Sequence, residues 1–221
     1  MRPAREPSAD CDLCPRLAAF RATNRAAHGA GNSEEEWHDA PVPGFGPDDA
    51  RLLIVGLAPG LRGANRTGRP FTGDFAGHLL YGTLLKFGLA QGRYLERADD
   101  GLTLRDCRIV NAVRCVPPAN KPLTAEIATC NRFLAAEIAT MGRLAAILAL
   151  GGIAHQAVLR AFGLKQGFGK FGHGATHRLP GGVVLADSFH VSRLNTNTGR
   201  LTASMFEAVV GGVLHAIGET V

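Results

Sequence analysis

Four short apolar runs, each separated from the next by a helical pattern, constrain this chain more than any other feature. The runs are RLLIVG (51–56), CRIVNAV (107–113), LAAILALG (144–151) and VVLADSF (183–189). Continuous apolar runs of this length, bounded by turn residues, read as strands buried on both faces. Helical patterns lie between and after them at 74–89, 124–141, 153–162 and 201–218. In the first, Phe75, Leu79, Leu80, Leu84 and Phe87 fall on one face and Asp74 stands as N-cap. Strands spaced by helices predict a parallel sheet with helices on both faces, an α/β architecture. Such sheets bind ligands beyond the carboxyl ends of their strands. The polar, Gly-rich segments of this chain follow those ends: residues 57–74, Asn111 onward, and His190 onward.

Composition narrows the class. With 46% hydrophobic residues among 221, the chain is no disordered segment, and five cysteines in that length are no disulfide scaffold. The longest apolar run, Leu144 to Ala154, is about half the roughly 20 residues of a membrane span. The N-terminus lacks an apolar signal core, so a cytoplasmic protein with reduced thiols is expected. One domain is expected over 1–221, with an N-terminal arm (1–50) that carries two of the cysteines and is ordered but irregular over 29–50, and an α/β core (51–221). The net charge of +5 says little by itself, and Arg outnumbers Lys 20 to 4, which coding bias alone can produce. Its distribution says more. Between Gly60 and Leu95 the only acid is Asp74, and Gly163–Ala186 and Ser188–Phe206 hold none. Brought together, these segments form a positive face suited to a polyanion. The acidic stretch 33–39 reads as solvated surface.

Cys11-Asp12-Leu13-Cys14-Pro15 is a CxxC pair, and Cys115 and Cys130 form a second pair with fourteen residues between them. A zinc ribbon usually shows two CxxC knuckles, and the second pair has none. Pro after Cys14 is found in some iron–sulfur runs. A redox CxxC more naturally follows a strand. A 4Fe–4S cluster tying the arm to the core is the favoured reading; zinc, redox use and four unlinked buried thiols are the alternatives. Cys107 is left as a core thiol at a strand start.

The segment from Gly56 to Asp74, GLAPGLRGANRTGRPFTGD, is a strand-to-helix loop with five glycines that ends on a helix N-terminus. Glycines let backbone approach a ligand, and a helix N-terminus favours anions. No GK[ST] follows, so it is not a P-loop, and the G-x-G-x-x-G order is absent. Taken singly, Asp74 reads as a plain N-cap, Asn111 as a turn residue, His190 as a structural histidine and Phe71 as core.

Together, GLAPGLRGANRTGRPFTGD, RIVNAVRCVPPANKP (108–122) and FHVSRLNTNTGRLT (189–202) resemble the motifs of the family 5, or type b, uracil-DNA glycosylases. The resemblance runs from Cys11 to the last helix. It implies a three-layer α/β/α sandwich around a four-stranded parallel sheet, and Cys11, Cys14, Cys115 and Cys130 as 4Fe–4S ligands. It implies hydrolysis of the N-glycosidic bond of uracil, and of other deaminated bases such as hypoxanthine, in DNA. By that resemblance Asp74 is the catalytic carboxylate, Phe71 stacks on the flipped base, Asn111 reads its Watson–Crick edge and His190 faces O2. Gly56, Leu57, Ala58, Gly60, Asn65 and Gly73 belong to the substrate site, while Arg193, Leu194, Lys170 and Arg66 contact DNA. Leu57 and Ala58 are apolar where many branches of the superfamily carry a polar residue, which excludes water activation there. Phe189 departs from the Tyr often found in relatives. The motifs hold no nucleophilic Lys, so a monofunctional, monomeric glycosylase acting on DNA is expected. The alternative is a non-catalytic iron–sulfur protein that binds damaged or single-stranded DNA. A third branch, which traps DNA covalently through a histidine, carries an Arg- and His-rich insertion not found here.

Overall fold

The computed structural model describes residues 4–28 and 36–218. In chain order its elements are α1 (Pro15–His28), β1 (Leu52–Gly56), α2 (Ala64–Thr67), α3 (Phe75–Lys86), β2 (Ala90–Gln91), β3 (Thr103–Leu104) and β4 (Cys107–Asn111). They continue as α4 (Thr124–Thr140), β5 (Ala146–Leu150), α5 (Gly152–Ala161), β6 (Thr176–Arg178), β7 (Val184–Ser188), α6 (Arg193–Asn197) and α7 (Ala203–Ala216).

The main sheet has the order β4-β1-β5-β7-β6. The four strands read from the apolar runs pair in parallel, as expected. A fifth, β6, adds to them antiparallel to β7 at one edge. Its three residues, Thr-His-Arg, carry no apolar run, so nothing in the local pattern marks it. Alternation along the strands builds two cores. Leu52, Ile54, Ile109 and Leu148 pack with Leu80 and Leu84 of α3 and Phe206 and Val210 of α7. Leu53, Val55, Val110 and Ile147 pack on the other face with Leu134 of α4 and Ala154 and Val158 of α5. Two helices cover each face, giving the α/β/α layering. No helix of the described residues is long and apolar enough to cross a membrane.

The arm is held by polar groups rather than by an apolar stripe. Helix α1 escapes a periodicity reading because its buried positions are Leu17, Arg21 and Asn24. Phe45 bridges Ile109 in antiparallel fashion and covers the outer edge of β4. Behind it lies a buried charge network: Glu137 accepts from Arg108 Nε at 2.6 Å and from Arg114 Nη2 at 3.4 Å, and Arg114 also reaches Glu6 at 3.3 Å. The stretch 33–39 is not all solvated surface. Residues 33–35 lie outside the described residues, but Asp39 is buried and takes hydrogen bonds from Asn65 Nδ2 at 2.6 Å and His28 Nδ1 at 2.9 Å. A carboxylate can sit there because charge-assisted bonds replace its water.

Candidate active site

The carboxyl ends of β1 and β4 lie side by side, with Gly56 in register with Asn111. Asn111 is 3% exposed, and its Oδ1 is buried without a hydrogen-bond partner among the described residues. Nearly all buried polar atoms are paired, so an orphaned amide oxygen at a strand end marks a place for a ligand's donor. Gly56 lets it pack close. A Cβ there would overlap Asn111 Oδ1 and lie 2.5 Å from Cζ of Phe71.

Phe71 is buried and has a left-handed backbone, φ 53°. A non-glycine residue holds that conformation only when its surroundings over-determine it. Three side chains do so here. Arg69 Nε donates to Thr72 Oγ1 at 2.7 Å and its guanidinium grips Asp100 through two bonds of 2.8 and 2.7 Å. The Tyr81 hydroxyl donates to the Pro70 carbonyl at 2.5 Å, and that of Tyr94 to the Phe71 carbonyl at 3.2 Å. Arg69 and the Asp100 side chain are buried, so Arg69 is a girder of the turn and not part of a positive surface. The Phe71 ring faces the His190 ring at 6.0 Å between centroids.

Asp74 caps α3, its Oδ1 accepting from the Ala76 amide at 3.1 Å. The loop wraps the carboxylate through its glycines: a Cβ on Gly63 would overlap Asp74 Oδ2, and one on Gly60 would lie 3.1 Å from it. Burial raises the Asp74 pKa above its ordinary 3.8, against backbone amides that lower it. A capping carboxylate facing water would not be lifted in this way, so the group is desolvated beyond what a cap requires.

His190 follows β7. Burial lowers its pKa, and its backbone carbonyl accepts from Asn195 Nδ2 at 2.8 Å. Helix α6 comes next, capped by the Ser192 hydroxyl. Arg193 stacks over the Phe75 ring at 5.3 Å, which ties this segment to the start of α3, and Leu194 projects with 72% of its surface exposed. The Thr196 and Thr198 hydroxyls donate to the Ser192 and Leu194 carbonyls at 3.2 and 2.7 Å. Lys170 is exposed on the loop before β6.

The Uracil DNA glycosylase superfamily model matches residues 43–211 of this sequence. The chain belongs to the uracil DNA glycosylase superfamily. It is 46% identical over 200 residues to a type-5 uracil-DNA glycosylase of Thermus thermophilus, covering 90% of each chain. It is 43% identical over 202 residues to one from Mycobacterium tuberculosis, covering 90% of this chain and 75% of that one. It is 42% identical over 201 residues to one from Mycobacterium leprae, covering 90% and 88%.

Within this superfamily fold, Gly56, Phe71, Asn111 and His190 converge at the carboxyl edge, with Asp74 at the head of α3 beside them. Two residues expected at the substrate site also have roles in the fold. Asn65 is fully buried, its Nδ2 donating to Asp39 and its backbone carbonyl accepting from the Asp39 amide, so it anchors the arm; its Oδ1, like that of Asn111, has no partner among the described residues. Gly73 serves the turn, with φ +85° and its Cα backed against Arg66 and Thr67. Leu57 lies at the strand exit, while Ala58 packs against the cysteine cluster. Arg66 is braced on the Arg62 carbonyl at 3.0 Å and lines a surface recess with Glu36, Arg97 and Asp99. Sequence reading misses Tyr94, Tyr81 and Asp100, because their link to Phe71 crosses up to 31 residues.

Cys11, Cys14, Cys115 and Cys130 line one cavity, together with Leu17, Val113 and Phe133 among others. Arg21 Nη1 donates to Cys115 Sγ at 3.2 Å, and the Arg114 amide to Cys130 Sγ at 3.4 Å. Burial raises the thiol pKa values of Cys14, Cys115 and Cys130, the last to about 12. Among the described residues only His155, His177 and Asp187 bring three donor atoms within 4.8 Å of one another. Cys107 is a core thiol as expected, donating to the Leu89 carbonyl at 3.3 Å.

Proposed function

We infer that this chain is a monofunctional uracil-DNA glycosylase that extrudes a deaminated base from DNA and hydrolyses its N-glycosidic bond. The observation that carries the reading is the orphaned Oδ1 of Asn111, which lies with the Phe71 ring directly against Gly56 at the carboxyl ends of β1 and β4. An amide presents an acceptor beside a donor and so reads an N–H next to a C=O. Uracil and hypoxanthine share that edge, whereas cytosine and adenine do not. Phe71 stacks on the flipped base and recovers about 1–3 kcal/mol of the cost of extrusion. Leu194 fills the vacated stack and Arg193 and Lys170 hold the backbone.

Bond cleavage builds positive charge on the sugar and negative charge on the base. Asp74 stabilises the first and orients water. His190, uncharged at neutral pH because burial lowers its pKa, donates an N–H to O2 and stabilises the second. Asp74 acts ionised while burial raises its pKa, so the single-turnover rate should fall on the acid side at a pH above the ordinary 3.8. It should be flat through neutrality. A limb at or below ordinary aspartate values would remove Asp74 from this role.

Four sulfur donors around one cavity, two buried and two half-buried, fit a soft metal group such as a 4Fe–4S cluster. Cys11, Cys14, Cys115 and Cys130 would hold it, and when bound it would act as a staple between arm and core. The glycosylase domain would then comprise the whole chain, acting as a monomer on DNA.

The test is incubation with duplexes carrying one uracil, one hypoxanthine or only normal bases, followed by alkali. Breaks at uracil and hypoxanthine alone are expected; tight DNA binding without breaks would make the chain a binding module. Within the same assay, Gly56→Ala should slow excision on the order of 100-fold, since the added methyl displaces Asn111 and Phe71 by about an ångström.

A further inference from the structure

Asp187, near the end of β7, is fully buried and plays no part in the excision chemistry above. Its Oδ1 lies 2.8 Å from Nδ1 of His155 on α5, which is also fully buried. Its Oδ2 accepts the Gly172 amide at 3.3 Å and stands 3.4 Å from Nε2 of His177 on β6. The second ring nitrogen of His155, Nε2, faces the Gly169 carbonyl at 3.0 Å. A carboxylate and a carbonyl are both acceptors, and a neutral imidazole carries one N–H. Only the imidazolium satisfies both contacts. Asp187 and His177 are the titratable groups facing His155, and Phe171 packs against its edge at 5.9 Å. Burial opposes the charge, but the Asp187 hydrogen bond and charge and the Gly169 carbonyl outweigh it and raise the His155 pKa.

The segment gathered by this pair runs directly to His190. Gly174 donates to the Asp187 carbonyl at 2.8 Å and the Asp187 amide to Ala175 at 2.9 Å. The Phe189 amide donates to His173 Nδ1 at 3.2 Å, and the two rings stack at 5.0 Å. His190 is the next residue. From the α5 side, the Gly151 amide donates to the Ser188 carbonyl at 2.8 Å.

We propose that the buried His155–Asp187 ion pair is a positioning device for His190: it clamps residues 169–174 onto the end of β7 and thereby fixes the direction of the His190 ring. The proposal rests on His190 acting in base excision. His155 and Asp187 touch no substrate and act through His190 alone.

The experiment uses the full chain with any bound cluster and with ¹⁵N-labelled histidine. Long-range ¹⁵N–¹H spectra of the wild type at neutral pH should show both ring nitrogens of His155 protonated. Asp187→Asn should leave His155 with one N–H and shift the His190 ring signals. With enzyme saturating, so that affinity does not enter, its uracil excision rate should fall on the order of 10- to 100-fold. The wild-type rate should also fall on the alkaline side as His155 loses its proton, a limb that a merely structural role would not produce and that His155→Gln should lack. A single N–H on wild-type His155 would overturn the proposal without any variant having to fold. So would stoichiometric zinc on the three donors of His155, His177 and Asp187, or a folded Asp187→Asn with wild-type rate and unshifted His190 signals. If the wild type excises no base, the glycosylase reading fails, and the histidine spectra still decide whether the clamp exists.

Discussion

Asp74→Asn is expected to lower the single-turnover rate of uracil excision about 1000-fold, the scale of removing one preorganised charge from a water-poor site. The substitution is nearly isosteric, and asparagine caps helices as well as aspartate does. The bond from the Ala76 amide to Oδ1 at 3.1 Å therefore survives, and with it the start of α3. Stability moves the other way. The folded pKa of Asp74 is raised by burial, so the ionised carboxylate weakens the fold at all pH values above that pKa, and protonation on lowering the pH relieves the strain. The asparagine variant at neutral pH should accordingly melt at the wild-type temperature or slightly above it while excising almost nothing. Thermal melts beside single-turnover assays check both halves. A variant that loses rate and stability together would mean that Asp74 serves the fold, and one that keeps its rate would end its catalytic role.

Cys130→Ala is expected to have the largest effect on stability. In the proposed reading the cysteine cavity joins the arm, through Cys11 and Cys14, to the segment after β4 and to α4, through Cys115 and Cys130. Losing a staple across such a long span costs about 4 kcal/mol. In a chain of this size that lowers Tm by roughly 8–16 °C. Visible absorbance and iron content should fall with it, and proteolysis should cut near the end of α1. Cys107→Ala is the control: its thiol donates only to the Leu89 carbonyl, so it should lose far less and keep its iron. A colourless wild-type protein, or a Cys130→Ala variant with unchanged Tm, would exclude the staple. The cavity also abuts the active site, because Ala58 packs against the cysteine cluster two residues beyond Gly56, and Cys115 follows Asn111 by four. Some loss of excision rate should therefore accompany the loss of stability.

Parts of the site were legible from local signals, and parts were not. Asp74 could be read as a cap because capping is a matter of adjacent residues, and the helix indeed begins at Phe75. The glycines of the loop signalled a close approach of backbone, and Gly56 and Gly63 supply it against Asn111, Phe71 and Asp74. The anchoring role of Asn65 was not legible because the same loop composition serves both ligand contact and structural anchoring. Its partner, Asp39, lies in the arm rather than the loop. The Arg69 and Asp100 pair was invisible for the same reason: it is formed across 31 residues by groups that individually read as surface charges. The cations of the acid-poor segments divide. Arg69 turns inward to Asp100, and Lys86 pairs with Glu207 at 2.6 Å.

What the sequence by itself determined is the architecture and the edge on which the site lies. Continuous apolar runs can be satisfied only by strands covered on both faces, and alternating helices force those strands to run in parallel. Loops after such strands then have to meet at their carboxyl ends. What only the tertiary structure decided is which polar side chains are consumed by the fold and which are left for a ligand. Asn65 and Asn111 are both buried asparagines. Both amide oxygens lack a partner among the described residues, but the Nδ2 of Asn65 is held by a carboxylate from the arm, whereas Asn111 lies at the end of β4 against Gly56 and the Phe71 ring. Hydrogen-bond satisfaction is a property of neighbours in space, and a buried polar group's fate is set by partners tens of residues away.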